Sequence, residues 1–465
     1  MKISSLIVSS LLLGLVLSGC GSEQAKAPEE SAAVAPAPAP DGSGKITAKT
    51  FNSGFVHSHD TYNGISTTAD GKIYYVLCSE LMDVAGQMYS YDPKTQQIEH
   101  CGDLTEMVGE KDMKVVAQGK SHVRFFEYGD KLYFSTHLGY YSIIDGMEMP
   151  GLPKGDYKKY RGGHLVSYDP KTKKGESICL APNGEGILTT TMDTQRGIIY
   201  AITWPTGGFF RYDVGKKELK DFGPYSGKAE SKGGESYRVI CRSIAVNPQD
   251  GTVYLTNAEG DIQQLKLGAN SLEKIPGDNM KKDYFGKFEV STAGSMAYNW
   301  RQTFWYTPEN KIYGVHGNSG YLFSFDPKAE RVEVLERLTS IPSKRSGMND
   351  QFSFGYLGFQ LGPDGRTIYY LTGGPIYIDG KRVTGEDAIS RGAARGLEDL
   401  HVITYDIPTG KYTDHGAIYY ENGDRPYYVN SITVGLDGTV YTLARITENG
   451  KTRTDLISIP VTLSK

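Results

Sequence analysis

GKIYYVLC from Gly71, DKLYFSTH from Asp130, RGIIYAIT from Arg196, DGTVYLTN from Asp250, NKIYGVHG from Asn310, GRTIYYLT from Gly365 and DGTVYTLA from Asp437 are seven versions of one short segment. Each opens on a turn residue and runs into β-branched and aromatic residues, the pattern of a strand entered through a tight hairpin. The aligned tyrosines are Tyr74, Tyr133, Tyr200, Tyr254, Tyr313, Tyr369 and Tyr441, at successive spacings of 59, 67, 54, 59, 56 and 72 residues. A period of this length points to an array of β modules, and most directly to a propeller.

A second signature follows each hairpin, as in QMYSYDPKTQQIEHC (Gln87–Cys101) and GYLFSFDPKAERVEVL (Gly320–Leu335). Alternation broken by a D-P-K turn reads as a third strand, a hairpin and a fourth. The expectation is an all-β, seven-bladed β-propeller of four-stranded antiparallel blades over residues 45–465. The last unit ends after its third strand, and a strand near Lys45–Phe51 is expected to complete it and remove the open edge. Two long inserts, Ile143–Gly162 and Gly373–Glu398, stand out as candidate functional loops.

The chain has 465 residues and a formal net charge of −4. That leaves no basic footprint for nucleic acid. The N-terminus carries Lys2, an apolar run to Leu17, and then Leu17-Ser18-Gly19-Cys20. This resembles a bacterial lipoprotein signal with its lipobox, too short for a stable spanning helix. It implies a signal peptide over residues 1–19, lipidation of Cys20 and a membrane partner through that lipid. A plain secretory peptide is the alternative, and either form means export. Residues 20–44, with AVAPAPAPDGSG at Ala33–Gly44, read as an Ala/Pro-rich tether. The expected location is the bacterial cell envelope, at the outer membrane or cell surface. The remaining cysteines, Cys78, Cys101, Cys179 and Cys241, form no CxxC pair. No metal site and no cofactor is expected from their spacing.

In a propeller blade the start of the first strand and the end of the second lie at the same end of the axis. That logic gathers His122 and His137 at one mouth of the channel, because they flank the first hairpin of QGKSHVRFFEYGDKLYFSTHLGYY (Gln118–Tyr141). It also brings His59, Trp204, Arg238, Arg242, Asn257, Arg301 and His316 to that end. The sequence has no GxSxG elbow, no HExxH, no glycine-rich phosphate loop and no EF-hand loop. Imidazole, phenol and guanidinium together suit removal of a proton next to a carboxylate. Aromatic faces suit sugar rings.

The stretch Gln118–Tyr141, continued by ITWPTGGFFRYD (Ile202–Asp213), resembles the seven-bladed β-propeller polysaccharide lyases, with ulvan lyases the nearest members. The resemblance implies cleavage of a uronate-containing acidic polysaccharide by β-elimination, using His, Tyr and Arg. His122 and His137 match the paired histidines. The tyrosine position is held by Trp204, with Tyr200 and Tyr212 nearby, and Tyr200 is taken as the catalytic tyrosine. Arg211, Arg238 and Arg242 are the candidates for the arginine, with Arg242 taken as catalytic. Arg211, Arg238, His59, Trp204, Asn257, Arg301 and His316 are expected around the substrate. A non-catalytic carbohydrate- or protein-binding propeller is the competing expectation. A metal-dependent lactonase ranks last, because acidic residues are sparse at the channel end.

Overall fold

The computed structural model describes residues 44–144, 146–345, 358–375, 377–378, 381–382, 398–426, 429 and 431–463. The expected signal peptide, Cys20 and almost all of the tether lie outside these residues, as does most of the insert Gly373–Glu398. Among the described residues no helix is long and apolar enough to cross a membrane.

The body is nearly all β. Five four-stranded antiparallel sheets follow one another along the chain, each ordered as a simple meander. The first runs Ile65–Thr67, Ile73–Leu77, Gln87–Asp92 and Gln97–Asp103. The second runs Phe126–Tyr128, Lys131–Ser135, His164–Asp169 and Lys174–Leu180. The third uses Gly186–Asp193, Ile198–Trp204, Gly208–Asp213 and Glu218–Pro224. The fourth spans Ala245–Lys274 and the fifth Trp300–Arg337. Eight further strands form one eight-stranded sheet, and two small hairpins, Tyr141–Ile144 with Met147–Pro150 and Tyr377–Ile378 with Lys381–Arg382, stand apart from it.

Each quoted hairpin segment becomes the second strand of its group of four. The turn before it needs a left-handed residue, glycine at Gly71 (φ 88°) and asparagine at Asn310 (φ 52°), which both residue types tolerate. The tyrosine at the centre of each segment is buried in every copy. Its neighbours along the strand are buried too, because a second strand is covered on both faces by adjoining sheets.

Neighbouring sheets meet through residues in or beside their inner strands. The Phe125 amide donates to Ser66 Oγ (3.0 Å), Ser135 and Thr190 share a hydroxyl bond (3.0 Å), and Thr189 donates to the Cys241 carbonyl (3.1 Å). Ser243 and Thr303 hydroxyls are 2.9 Å apart, and the Phe304 and Phe359 rings stack at 5.5 Å. The Thr67 amide reaches Thr433 Oγ1 (2.8 Å). Between the first strands of the second to fifth sheets lies a channel of about 260 Å³.

The expected closing strand is present as Lys45–Thr50. Lys49 and Thr50 pair antiparallel with Ser458 and Ile457. The same strand also pairs in parallel, Lys45–Ala48 against Ala417–Tyr420, and this second ladder fuses two groups of four into the eight-stranded sheet. Only the first of these pairings was expected. Just beyond it, Ser53 donates its amide (2.8 Å) and hydroxyl (2.5 Å) to the buried Asp455 carboxylate, and its Oγ also meets the Tyr75 hydroxyl (2.8 Å). Ser53→Ala should therefore lower stability by about 2 kcal/mol, since a buried carboxylate and phenol each lose a partner. Urea unfolding would measure this, and a loss below ~0.5 kcal/mol would show that the clasp does not depend on that hydroxyl.

Candidate functional site

Lys120 and His137 lie directly opposite one another. The His137 amide donates to the Lys120 carbonyl (2.7 Å) and the Lys120 amide to that of His137 (2.9 Å). Directly opposed residues project to the same side, and so does the residue two further along an extended strand. His122 therefore joins Lys120 and His137 on one face. The two imidazoles meet edge to face with ring centroids 4.8 Å apart.

Aromatic rings wall this pair. Tyr62 packs on His122 at 5.2 Å, and Trp204 on His137 at 5.8 Å. Tyr141 meets both His137 (6.4 Å) and Trp204 (5.7 Å). The Lys120 ammonium lies 4.8 Å from the Tyr141 ring centroid and donates to Glu80 Oε1 at 2.5 Å. Gly186 makes the fit possible, because a Cβ there would stand 2.3 Å from His137 Nδ1.

Glu230 organises the other side. One of its oxygens accepts from Trp204 Nε1 (3.0 Å), and the other from Arg242 Nη2 (2.7 Å) and the Ile240 amide (2.9 Å). The indole and the guanidinium are thus fixed through one carboxylate.

His122 is 8% exposed and His137 2%. Burial, then His137, Lys120, Arg242 and Arg301, holds His122 well below the ordinary imidazole value. Burial, with Lys120 and Arg242, does the same for His137. Burial also pushes the Tyr141 phenol up. Burial works against the Lys120 charge, yet Glu80 keeps it above the usual lysine value. The result is a pair of neutral imidazoles pressed against fixed cations. Such a pair can accept a proton, and the cations around it favour an anionic ligand.

The other expected site residues divide clearly. Arg242 and Trp204 join the histidines, and Arg301, bonded to Met296 Sδ at 2.9 Å, is close enough to act on His122. His59 sits at the rim, 3.3 Å from Glu80. Arg238 is spent on Glu259 (2.5 Å) and on the carbonyls of Glu235 and Tyr237. Asn257 closes a turn with Asp261, accepting from its amide at 2.9 Å. His316 is fully buried, stacked on Phe285 at 4.3 Å and bonded to Ser319 at 2.8 Å, and burial pushes it down to about 3.

Tyr200 and Arg211 are not brought to the histidines. Tyr200 sits four residues before Trp204 on the same strand, about 13 Å along it, and pairs across the sheet with Thr191 and Arg211. Its phenol is in the core, near enough to Arg211, Asp193 and Arg196 to feel their charges. The phenols that do adjoin the histidines are Tyr62 and Tyr141. These, with Lys120, Glu80 and Glu230, were missed from sequence. Strand alternation alone could have found Lys120, since it stands two residues before His122. Among the described residues no group of three or more His, Cys, Asp or Glu is placed to hold a metal ion.

No protein-family model and no curated protein matches the chain. Solved structures that resemble it include YCF48 bound to a D1 peptide, at 10% identity and a TM-score of 0.48 over 92% of this chain and all of that one. A chain of the mitotic checkpoint complex aligns at 10% identity and TM-score 0.43, covering 96% and 99%. A Bacteroides uniformis protein provisionally assigned as a 6-phosphogluconolactonase aligns at 12% identity and TM-score 0.41, covering 75% and 82%. Nothing about function follows from likenesses this remote.

Two outcomes follow from the buried histidines. The unfolded chain takes up protons near pH 6.5, whereas His122, His137 and His316 resist them when folded, so stability is full above about pH 6.5 and falls as pH drops. For His316, with its value of about 3, the loss by pH 5 is about 2 kcal/mol. The urea midpoint should be lower at pH 5 than at pH 7.5, and His316→Gln should shrink the difference. An equal difference in the variant would overturn this. Separately, Gly186→Ala should displace the His137 ring and change the His137 and His122 imidazole NMR signals, leaving that of His316 unmoved.

Proposed function

We propose that this protein is a lipid-anchored, seven-bladed propeller that binds a uronate of an acidic polysaccharide at the channel mouth and cleaves the chain by β-elimination. The seven hairpin-bearing groups of four strands, and the contacts that link successive groups, support a single ring of seven blades. The lipobox-like Leu17–Cys20 supports the anchor.

One observation carries the chemistry: two neutral imidazoles in ring contact, with Arg242 and Lys120 against them. In this reading Arg242 binds the uronate carboxylate through the donors Glu230 leaves open. That binding stabilises the charge that spreads onto the carboxylate as the α-proton departs. His122, which lines the channel, takes the proton. The C–H electrons form the new ring double bond, and the glycosidic C–O bond breaks at the β carbon. The proton on His122 passes to the departing oxygen. His137, almost wholly enclosed, is a positioning residue that keeps His122 neutral and fixes its ring. Trp204 orients His137, and its indole holds Glu230. Tyr200 has no part in this step.

The enclosure of His137 and Trp204, 2% and 5% exposed, favours one rival: a propeller that binds a carbohydrate without reacting. Ultraviolet absorbance of the unsaturated product, over a panel of uronate polymers, separates the two. Under the elimination reading His122→Ala lowers product formation by about 10²-fold or more, and Arg242→Ala raises KM and lowers kcat. Binding on a glycan array with no product from any polymer would leave the non-catalytic reading, as would full activity in His122→Ala.

A further inference from the structure

The channel has a charge imbalance that the histidine site does not use. Its wall carries Arg124, Arg242 and His122, together with Asn63, Gln302 and Thr190, and no carboxylate lines it among the described residues. Arg242 has Glu230. Arg124 has no such partner: its Nη2 donates to the Phe359 carbonyl across the channel (2.7 Å), and no described acidic side chain pairs with it. Among the described residues this is the one bond shown for a guanidinium with five donors. Burial pushes Arg124 down to about 10, so the group stays charged at neutral pH. A desolvated cation is costly unless an anion or ordered water answers it.

Position adds to this. Arg124 stands two residues beyond His122, past a bend at Val123, and both residues line the same channel. The space of about 260 Å³ is several times the ~30 Å³ share of a water molecule. A tetrahedral oxyanion or the carboxylate end of a sugar acid fits such a space. The planar fork of arginine matches both.

We propose that the axial channel is a binding site for an oxyanion, held by the guanidinium of Arg124 below the histidine pair. The ligand is either a free phosphate or sulfate, or the carboxylate of a sugar acid entering from the mouth. This site goes beyond the elimination reading and stands without it.

The test uses the full chain at constant ionic strength. Phosphate, sulfate and glucuronate are titrated separately against a chloride control, following thermal midpoint and calorimetric heat. At least one oxyanion should raise the midpoint and bind saturably, and chloride should not. Arg124→Gln should weaken that binding at least tenfold. Arg124→Lys, which keeps the charge but not the fork, should weaken it less. Binding of phosphate or sulfate without glucuronate identifies a free anion, and the reverse identifies a sugar acid. If Arg124→Gln fails to fold, selenate soaked into wild-type crystals should give an anomalous peak within hydrogen-bond distance of Arg124. No binding by any oxyanion, unchanged binding in a folded Arg124→Gln protein, or a channel without the selenate peak would each overturn the proposal. Oxyanion binding without unsaturated product would remove the elimination reading alone, and product without oxyanion binding would remove this one alone.

Discussion

The ladder made by Lys45–Thr50 is the constraint on which the rest of the body depends. A four-stranded sheet covered on both faces cannot stand alone, so the sheets must shield one another, and a chain of them has two open ends. The N-terminal strand ties the start of the chain to its last two groups of strands, pairing with Ile457 and Ser458 on one side and with Ala417–Tyr420 on the other, and the Thr67 amide meets Thr433 between the first sheet and the last group. Joining residues 402 apart, as Ser53 and Asp455 are, costs about 5 kcal/mol in chain entropy on a logarithmic scale of loop length. A ladder on two sides, the Ser53–Asp455–Tyr75 bonds and the Arg445–Asp60 ion pair all act at this seam to offset it.

The packing of sheet against sheet also explains how the histidine site can exist. A lysine and two arginines repel one another, disfavour protonation of the two imidazoles beside them, and are desolvated with them. Neighbouring sheets hold them in place, and Lys120 and Arg242 are each tied back by a carboxylate, whereas Arg124 has a backbone carbonyl. Glu80 serves Lys120, and Glu230 serves Arg242 and Trp204 at once. Among the described residues the imidazoles have no carboxylate of that kind, and they remain neutral.

The sequence was most informative where a residue's role follows from its place in the repeat. Seven tyrosines at a common position announced seven second strands, and His122 and His137 could be brought together because they flank one hairpin. The same map failed where it ignored distance along a strand. Tyr200 belongs to the right strand as Trp204 does, yet four residues separate the core from the channel mouth. Arg238 and Arg242 looked equivalent, since both precede the fourth sheet. Which of them faces the histidines is decided by Glu259 and Glu230, each supplied by a loop whose course no local pattern reveals. Lys120 reads as a solvent residue between Gly119 and Ser121. Its place two residues before His122 was the one local signal, and its pairing opposite His137 encloses it. The parallel half of the closing ladder was equally hidden, because it joins two segments that periodicity treats as independent.

The closing strand has a mechanical consequence. Lys45 is its first residue, so a pull on the chain just before it acts nearly along the strand axis. The hydrogen bonds on either flank run across that axis. A load along the axis therefore strains the bonds of both ladders in shear and shares the force among them, rather than opening them one by one from an end. A protein held by its N-terminal segment would meet drag or tension at the part of its structure best arranged to resist it.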